Sequence, residues 1–197
     1  MNTPSDMAAN APLPTDTILV QGRQCGTCTL CCKLLGIKEI NKPDWTWCTH
    51  CKPGRGCGIY ETRPNPCQKF YCGYRQSVDI GEHWFPSRSR MILRAQGIGI
   101  LCYVDPGYPD AWKQQPYHSE LRAWARRAVR SEHHVIVNVG GRTFAILPDK
   151  DVDLGVMQVG EKIVVAEGRS ATGSTWEAYR VPADGPGPVG SAGKLAG

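Results

Sequence analysis

The sequence has little that would support a membrane span, an export signal or a familiar catalytic centre. No apolar run approaches the roughly 20 residues that a transmembrane helix needs, which excludes a helical membrane protein. The start, Met1 to Thr17, is polar and punctuated by proline. It has no basic segment leading into an apolar one, so it does not read as a secretory signal, and the expected compartment is the cytosol. P-loop, GxGxxG and nucleophile-elbow motifs are missing, as is a catalytic triad, so no catalytic residue is assigned. Asp149-Lys150-Asp151-Val152-Asp153 opens like a calcium loop, but Leu154 and Gly160 stand at the sixth and twelfth positions, where glycine and glutamate are required. A length of 197 residues and a mass of 21.6 kDa exclude a large multidomain enzyme. The mean hydropathy of -0.34, with 41% hydrophobic and 21% charged residues, excludes a wholly disordered chain.

What the sequence does have is cysteine. Nine of its ten cysteines (Cys25, Cys28, Cys31, Cys32, Cys48, Cys51, Cys57, Cys67 and Cys72) fall within 48 residues, and Cys102 stands apart. In a reducing cytosol thiols do not persist as structural disulfides, so a cluster this dense is read as metal-holding. Between Gln24 and Arg75 the apolar side chains make only a thin core. A structural zinc supplies about 10–16 kcal/mol of apparent binding free energy, enough to order such a segment.

Cys25-Gly26-Thr27-Cys28-Thr29-Leu30-Cys31-Cys32 sets three thiols at three-residue steps with a fourth directly behind, and Cys48-Thr49-His50-Cys51 repeats the CxxC element. Two such elements separated by 19 residues have the spacing of a zinc ribbon or knuckle. Residues 21 to 76 carry nine Lys or Arg against three acids. An ion held by four thiolates has a net charge of about −2, so two sites would nearly cancel that excess, and the cations would favour thiolate ligands. Thiolate sets suit zinc, monovalent copper and iron–sulfur clusters alike. The first three cysteines copy the start of a bacterial ferredoxin run, but Cys32 follows at once where a C-x₃-C-P step is needed.

The run Cys25-x₂-Cys28-x₂-Cys31-Cys32, then Cys48, then Cys57-Gly-Ile-Tyr-Glu-Thr-Arg-Pro-Asn-Pro-Cys67-Gln-Lys-Phe-Tyr-Cys72, resembles the YkgJ-type cysteine-cluster family, described as zinc- or iron-chelating. The resemblance covers roughly residues 21 to 76. It implies a chelating role for Cys25, Cys28, Cys31, Cys32, Cys48, Cys57, Cys67 and Cys72; Cys51 and Cys102 lie outside the family's pattern. Members are also labelled iron–sulfur proteins or oxidoreductases. Independently of the family, Arg63-Pro64 and Pro66 stiffen the return to Cys67. Arg63 is a candidate donor to sulfur or backbone carbonyls, and Tyr60, Phe70 and Tyr71 are expected as an apolar lid. Cys31 and Cys32 are expected to serve different ions, on the ground that adjacent strand-like side chains point to opposite sides.

Beyond Ser89 the pattern changes. Met91 to Val104 reads as a hairpin about Gln96-Gly97, with Cys102 an inert strand thiol. Leu121, Trp124, Ala125, Ala128 and Val129 recur with helical spacing, with start signals at Pro116 and Ser119. Val135 to Val139 and Thr143 to Leu147 form a second hairpin, followed by strands near 155–158, 162–166 and 175–181. The expected fold class is α+β: a small metal-stabilised cysteine-rich domain with short helices and loops, then a helix and a small antiparallel sheet. The expected division is a disordered tail at 1–20, the cysteine-cluster domain at 21–110, an accessory helix and β unit at 111–182, and a flexible tail at 183–197.

The functional expectation is a cytosolic protein chelating zinc, the favoured ion, or iron through the nine clustered thiolates, with His50 a secondary ligand candidate. One alternative is an iron–sulfur protein acting in electron transfer or as an oxidoreductase. The other is a metal-stabilised interaction module binding a protein or nucleic acid, for which the basic stripe Arg122, Arg126 and Arg130, with Arg127 beside it, and the net charge of +5 are the pointers.

Overall fold

The structure, a computed structural model, describes residues 19–97, 99–171 and 173–185. The expected terminal tails lie largely outside that range. Within it, the cysteine-rich segment is built from short pieces: helix α1 (Leu30–Leu34), a two-stranded hairpin of β1 (Cys51–Lys52) and β2 (Gly56–Cys57), and helices α2 (Asn65–Lys69), α3 (Gly73–Gln76) and α4 (Pro86–Ser89). There follow β3 (Met91–Gln96), β4 (Gly99–Val104), helix α5 (Tyr117–Ala128), β5 (His134–Val139), β6 (Arg142–Ile146), β7 (Asp151–Val156), β8 (Glu161–Ser170) and β9 (Gly173–Pro182).

Strands β3 to β7 form one five-stranded sheet in chain order. The two expected hairpins, β3–β4 and β5–β6, are present and antiparallel. They are joined edge to edge by β4 and β5, which run parallel, so the sheet is mixed where an all-antiparallel one was expected. Helix α5 is the reason: a parallel neighbour needs a long crossover, and the amphipathic helix between β4 and β5 supplies it. The same pairing carries the sheet across residue 110, so segments 21–110 and 111–182 share one core. At the start of the pairing Gly99 has φ +140°, and a Cβ there would lie 1.9 Å from the His134 carbonyl oxygen. Only glycine fits so close an approach.

Alternation along the strands sorts side chains onto two faces. On one face Met91, Leu93, Cys102, Val104, Val135, Val137 and Ile146 pack with Trp84, Trp112 and the Leu121–Ala125 stripe of α5. Cys102 is fully buried, and burial pushes its thiol pKa up, as an inert core thiol requires. The opposite face is covered in two parts. Ile136, Ala145, Leu147 and Leu154 meet the β8–β9 hairpin through Ala178, Ile163, Val165 and Trp176. Ile92 and Tyr103 meet the cysteine-rich segment through Leu30, Leu34, Trp45 and Phe70. That last cluster is small, as the thin apolar content of the segment requires. A second tie is polar: Lys33 Nζ of α1 lies 2.6 Å from Asp105 Oδ1, and Asp105 is only 3% exposed.

The rejected calcium loop is strand. Asp151 Oδ2 is 2.8 Å from His118 Nε2, its Oδ1 accepts from Arg122 Nη2, and Asp153 accepts from both Nε and Nη2 of Arg142. Arg122 is therefore removed from the basic stripe, leaving Arg126, Arg127 and Arg130 exposed, with Arg130 and Val129 in a 3-10 turn beyond the end of α5.

Candidate metal centre

The thiols are arranged by short loops closed through their own backbone. The first CxxC turn is fixed by the Cys28 N–H donating to the Cys25 carbonyl at 2.8 Å, and the second by the Cys51 N–H donating to Cys48 at 3.0 Å. The Cys48 N–H donates to the Cys32 carbonyl at 2.9 Å, which pins the second loop against α1. Across the β1–β2 hairpin Cys51 is paired directly with Cys57. Its turn needs Gly54 at φ +70°, and the Gly54 N–H reaches the Thr29 hydroxyl. Cys67 rides on α2 and Cys72 precedes the first turn of α3.

Two groups result. Cys25, Cys28 and Cys72 lie within each other's electrostatic reach. Cys32, Cys48, Cys51, Cys57 and Cys67 form the other. Cys31 stands between them: it packs with Cys28 and Cys72 against Leu30, Leu34 and Ile92, while its thiol meets that of Cys32. The two adjacent cysteines are helical and not strand-like. Consecutive helical residues diverge by about 100° around the axis, which leaves Cys31 and Cys32 oriented toward different groups but still touching. Among the described residues, no three Cys, His, Asp or Glu side chains are gathered closely enough to hold an ion as they stand.

The Leu30 and Ser87 backbone beside Cys28 favours its thiolate, and the Arg75 and Tyr74 backbone does so beside Cys72, but burial outweighs both. Arg75 Nη1 is 3.6 Å from Cys25 Sγ, and the buried Arg75 Nε has no partner among the described residues. Arg23 braces this side, donating to the carbonyls of Tyr74 at 2.7 Å and Ser77 at 2.8 Å. Beside the second group sits Lys42, only 8% exposed, whose ammonium donates to the Leu35 and Pro43 carbonyls. Burial lowers its pKa, while the Asp44, Cys48, Cys32 and Cys31 side chains oppose that shift. Neither Lys42 nor the backbone contributions were foreseen. An isolated lysine before Pro43 has no periodicity to mark it as buried, and backbone contributions have no sequence signature.

Arg63 donates to the Tyr60 carbonyl at 2.9 Å, and its guanidinium lies 3.7 Å above the Tyr60 ring. Tyr60 is 57% exposed, so it forms no lid over the thiols; Phe70 does pack on the α1 cluster. His50 takes part through its backbone carbonyl, which accepts from the Gly58 N–H.

Burial raises the pKa values of Cys28, Cys67 and Cys72, and with the neighbouring Cys32 it pushes Cys51 up to about 12. Cys32 is raised chiefly by its hydrogen bond to Cys31, and then by burial. These thiols carry protons at neutral pH, and each one that ligates a cation must release its proton. The unfolded, metal-free chain keeps such protons below the ordinary thiol pKa of about 8.5, whereas the ligated state does not. Stability conferred by metal therefore rises with pH through the neutral range and is lost on acidification. The expected change in apparent metal affinity is about tenfold per pH unit for each such thiol sharing an ion. Competition with a chelator of known affinity at pH 6.5 and 7.5 measures it, and a pH-independent affinity would contradict thiolate ligation.

Comparison of the chain with family models, curated proteins and solved structures finds no match. Among the described residues no helix is long and apolar enough to cross a membrane.

Proposed function

We propose that the protein binds metal through its clustered cysteines, taking zinc or iron, with zinc favoured. Cys25, Cys28 and Cys72, completed by Cys31, would hold one ion, and Cys32, Cys48, Cys51, Cys57 and Cys67 would supply the other. The observation that carries this reading is the concentration of nine thiols in one small segment, with the Arg75 guanidinium a donor 3.6 Å from Cys25 Sγ. Such donors are matched to anionic sulfur, and their role toward a bound ion is to orient and stabilise the ligands. Once bound, a divalent ion supplies the positive charge that makes the thiolates stable in a partly buried site. The chain's own residues do the rest: Leu30, Leu34 and Phe70 limit water at the first group, and Lys42 offsets the negative charge of the second.

Anaerobic purification with metal and sulfide quantitation and a visible spectrum tests the reading. About two ions per chain are expected, falling to about one in Cys72→Ser, which leaves the first group a thiol short, and in Cys48→Ser combined with Cys67→Ser, which leaves the second group three. Less than one metal per chain, with the thiols oxidised to disulfides, would defeat it. Thiolate sets with a nearby donor such as Arg75 also suit iron–sulfur clusters, so an electron-transfer role is the second reading. Acid-labile sulfide with broad visible absorption would select it over a colourless zinc-loaded form.

A further inference from the structure

A groove of about 350 Å³ opens between the end of α4 and the loop leading into α5, lined by Arg88, Arg90, Tyr108, Asp110, Gln114 and Tyr117 among others. Both arginines are exposed, and among the described residues neither forms an ion pair. The available carboxylates are engaged elsewhere. Asp110 on the rim is held by Lys113 at 2.8 Å, and Glu82 is bound by Arg23 and by the Tyr74 hydroxyl.

Arg90 is fixed with unusual care for a surface residue. It ends α4 in the left-handed region at φ +62°, a conformation that costs energy for any residue but glycine and that clusters at functional sites. Its carbonyl accepts from the Asp105 N–H at 2.9 Å, and Ser89 Oγ bridges the Trp84 and Met91 carbonyls on the preceding turn. The guanidinium carbon lies 4.6 Å from the centre of the Tyr108 ring, a cation–π contact that limits where the side chain can sit. Arg88 faces the same groove from the same helical turn. Two guanidiniums lining one groove, neither in an ion pair within 4 Å among the described residues, match the dianionic charge and multiple oxygens of a phosphate group better than the single charge of a carboxylate. The groove volume leaves room for more than the phosphate itself.

We propose that this groove binds the phosphate group of a small molecule, with Arg88 and Arg90 as the oxygen-binding residues and Tyr108 as the platform that orients Arg90. The proposal is independent of what the thiols hold.

Calorimetric titration of the full chain with inorganic phosphate, phenyl phosphate and a short single-stranded oligonucleotide tests it. Saturable binding of phenyl phosphate is expected, weakened about tenfold in Arg88→Gln and about tenfold in Arg90→Asn, with Arg127→Gln unchanged. Asparagine tolerates the left-handed backbone, and Arg88→Gln, on an exposed position, provides a second reading should the Arg90 variant fold poorly. No saturation by about 10 mM phenyl phosphate, equal binding by the wild type and both groove variants, or oligonucleotide binding that is lost in Arg127→Gln and retained in Arg88→Gln would each overturn it.

Discussion

Stripped of metal by a chelator under reducing conditions, the protein is expected to lose the ordered structure of residues 21–76 and to keep the five-stranded sheet. The segment's own apolar anchor is small: Leu30, Leu34 and Tyr74 are its buried apolar side chains, with half-buried Cys28, Cys31, Trp45, Phe70 and Cys72 packed where Leu30 and Leu34 meet Ile92 and Tyr103 of the sheet. Each fully buried aliphatic side chain contributes about 1.5–3 kcal/mol, whereas fixing each backbone residue costs about 1–2 kcal/mol. For a segment of short helices, a two-residue-strand hairpin and many turns so few contacts are a weak anchor, and the roughly 10–16 kcal/mol that a bound ion would supply would be the largest contribution available to it. The α5 face of the sheet is filled by Trp84, Trp112, Leu121 and the strand residues, so only Ile92 and Tyr103 on the opposite face lean on the cysteine segment. Amide hydrogen exchange distinguishes the outcomes. Residues 21–76 should exchange rapidly after chelation while β4, β5 and β6 stay protected. An exchange pattern unchanged by chelation would remove the basis for reading the segment as metal-ordered.

Trp84→Ala is expected to destabilise the sheet core by about 3–5 kcal/mol, a large share of the roughly 5–15 kcal/mol typical of a whole domain. Trp84 is 1% exposed, stacks on Trp124 at 5.2 Å and meets Tyr117 edge-on at 4.8 Å. Its indole N–H donates to Glu120 Oε2 at 2.6 Å. Truncation empties the space between α5 and the sheet and strips Glu120 of the indole donor. Urea denaturation of the metal-loaded protein measures the loss. A change below about 1 kcal/mol would mean that the α5 face of the sheet is not the stabilising core.

The second half of the chain was the more legible. The α5 stripe was read from Leu121, Trp124, Ala125 and Ala128, and Leu121 and Ala125 are indeed its buried residues. The expected strands Val135 to Val139 and Thr143 to Leu147 lie within a residue of the ends of β5 and β6, whereas the one at 162–166 stops four residues short of the end of β8. Strand β7 was placed too late because Asp151 and Asp153 disguise it. Their charges are tolerated because Arg122, His118 and Arg142 stand opposite. The parallel β4–β5 pairing was not legible, since each hairpin is specified locally, whereas which of their edges meet depends on where α5 lies.

The cysteine segment divides in the same way. By itself the sequence determined how many thiols there are, their concentration in one stretch, the thinness of the surrounding apolar content and the turns at each CxxC element, because all of these are local properties of residue type and spacing. Only the tertiary structure decided that Cys72 comes within electrostatic reach of Cys25, that Cys67 comes within reach of Cys32, Cys48 and Cys57, and that Lys42 is buried near Cys32 and Cys48. The physical reason is that grouping depends on long-range contacts: the Cys48 N–H on the Cys32 carbonyl, and the cysteine segment seated on Ile92 and Tyr103 of the sheet.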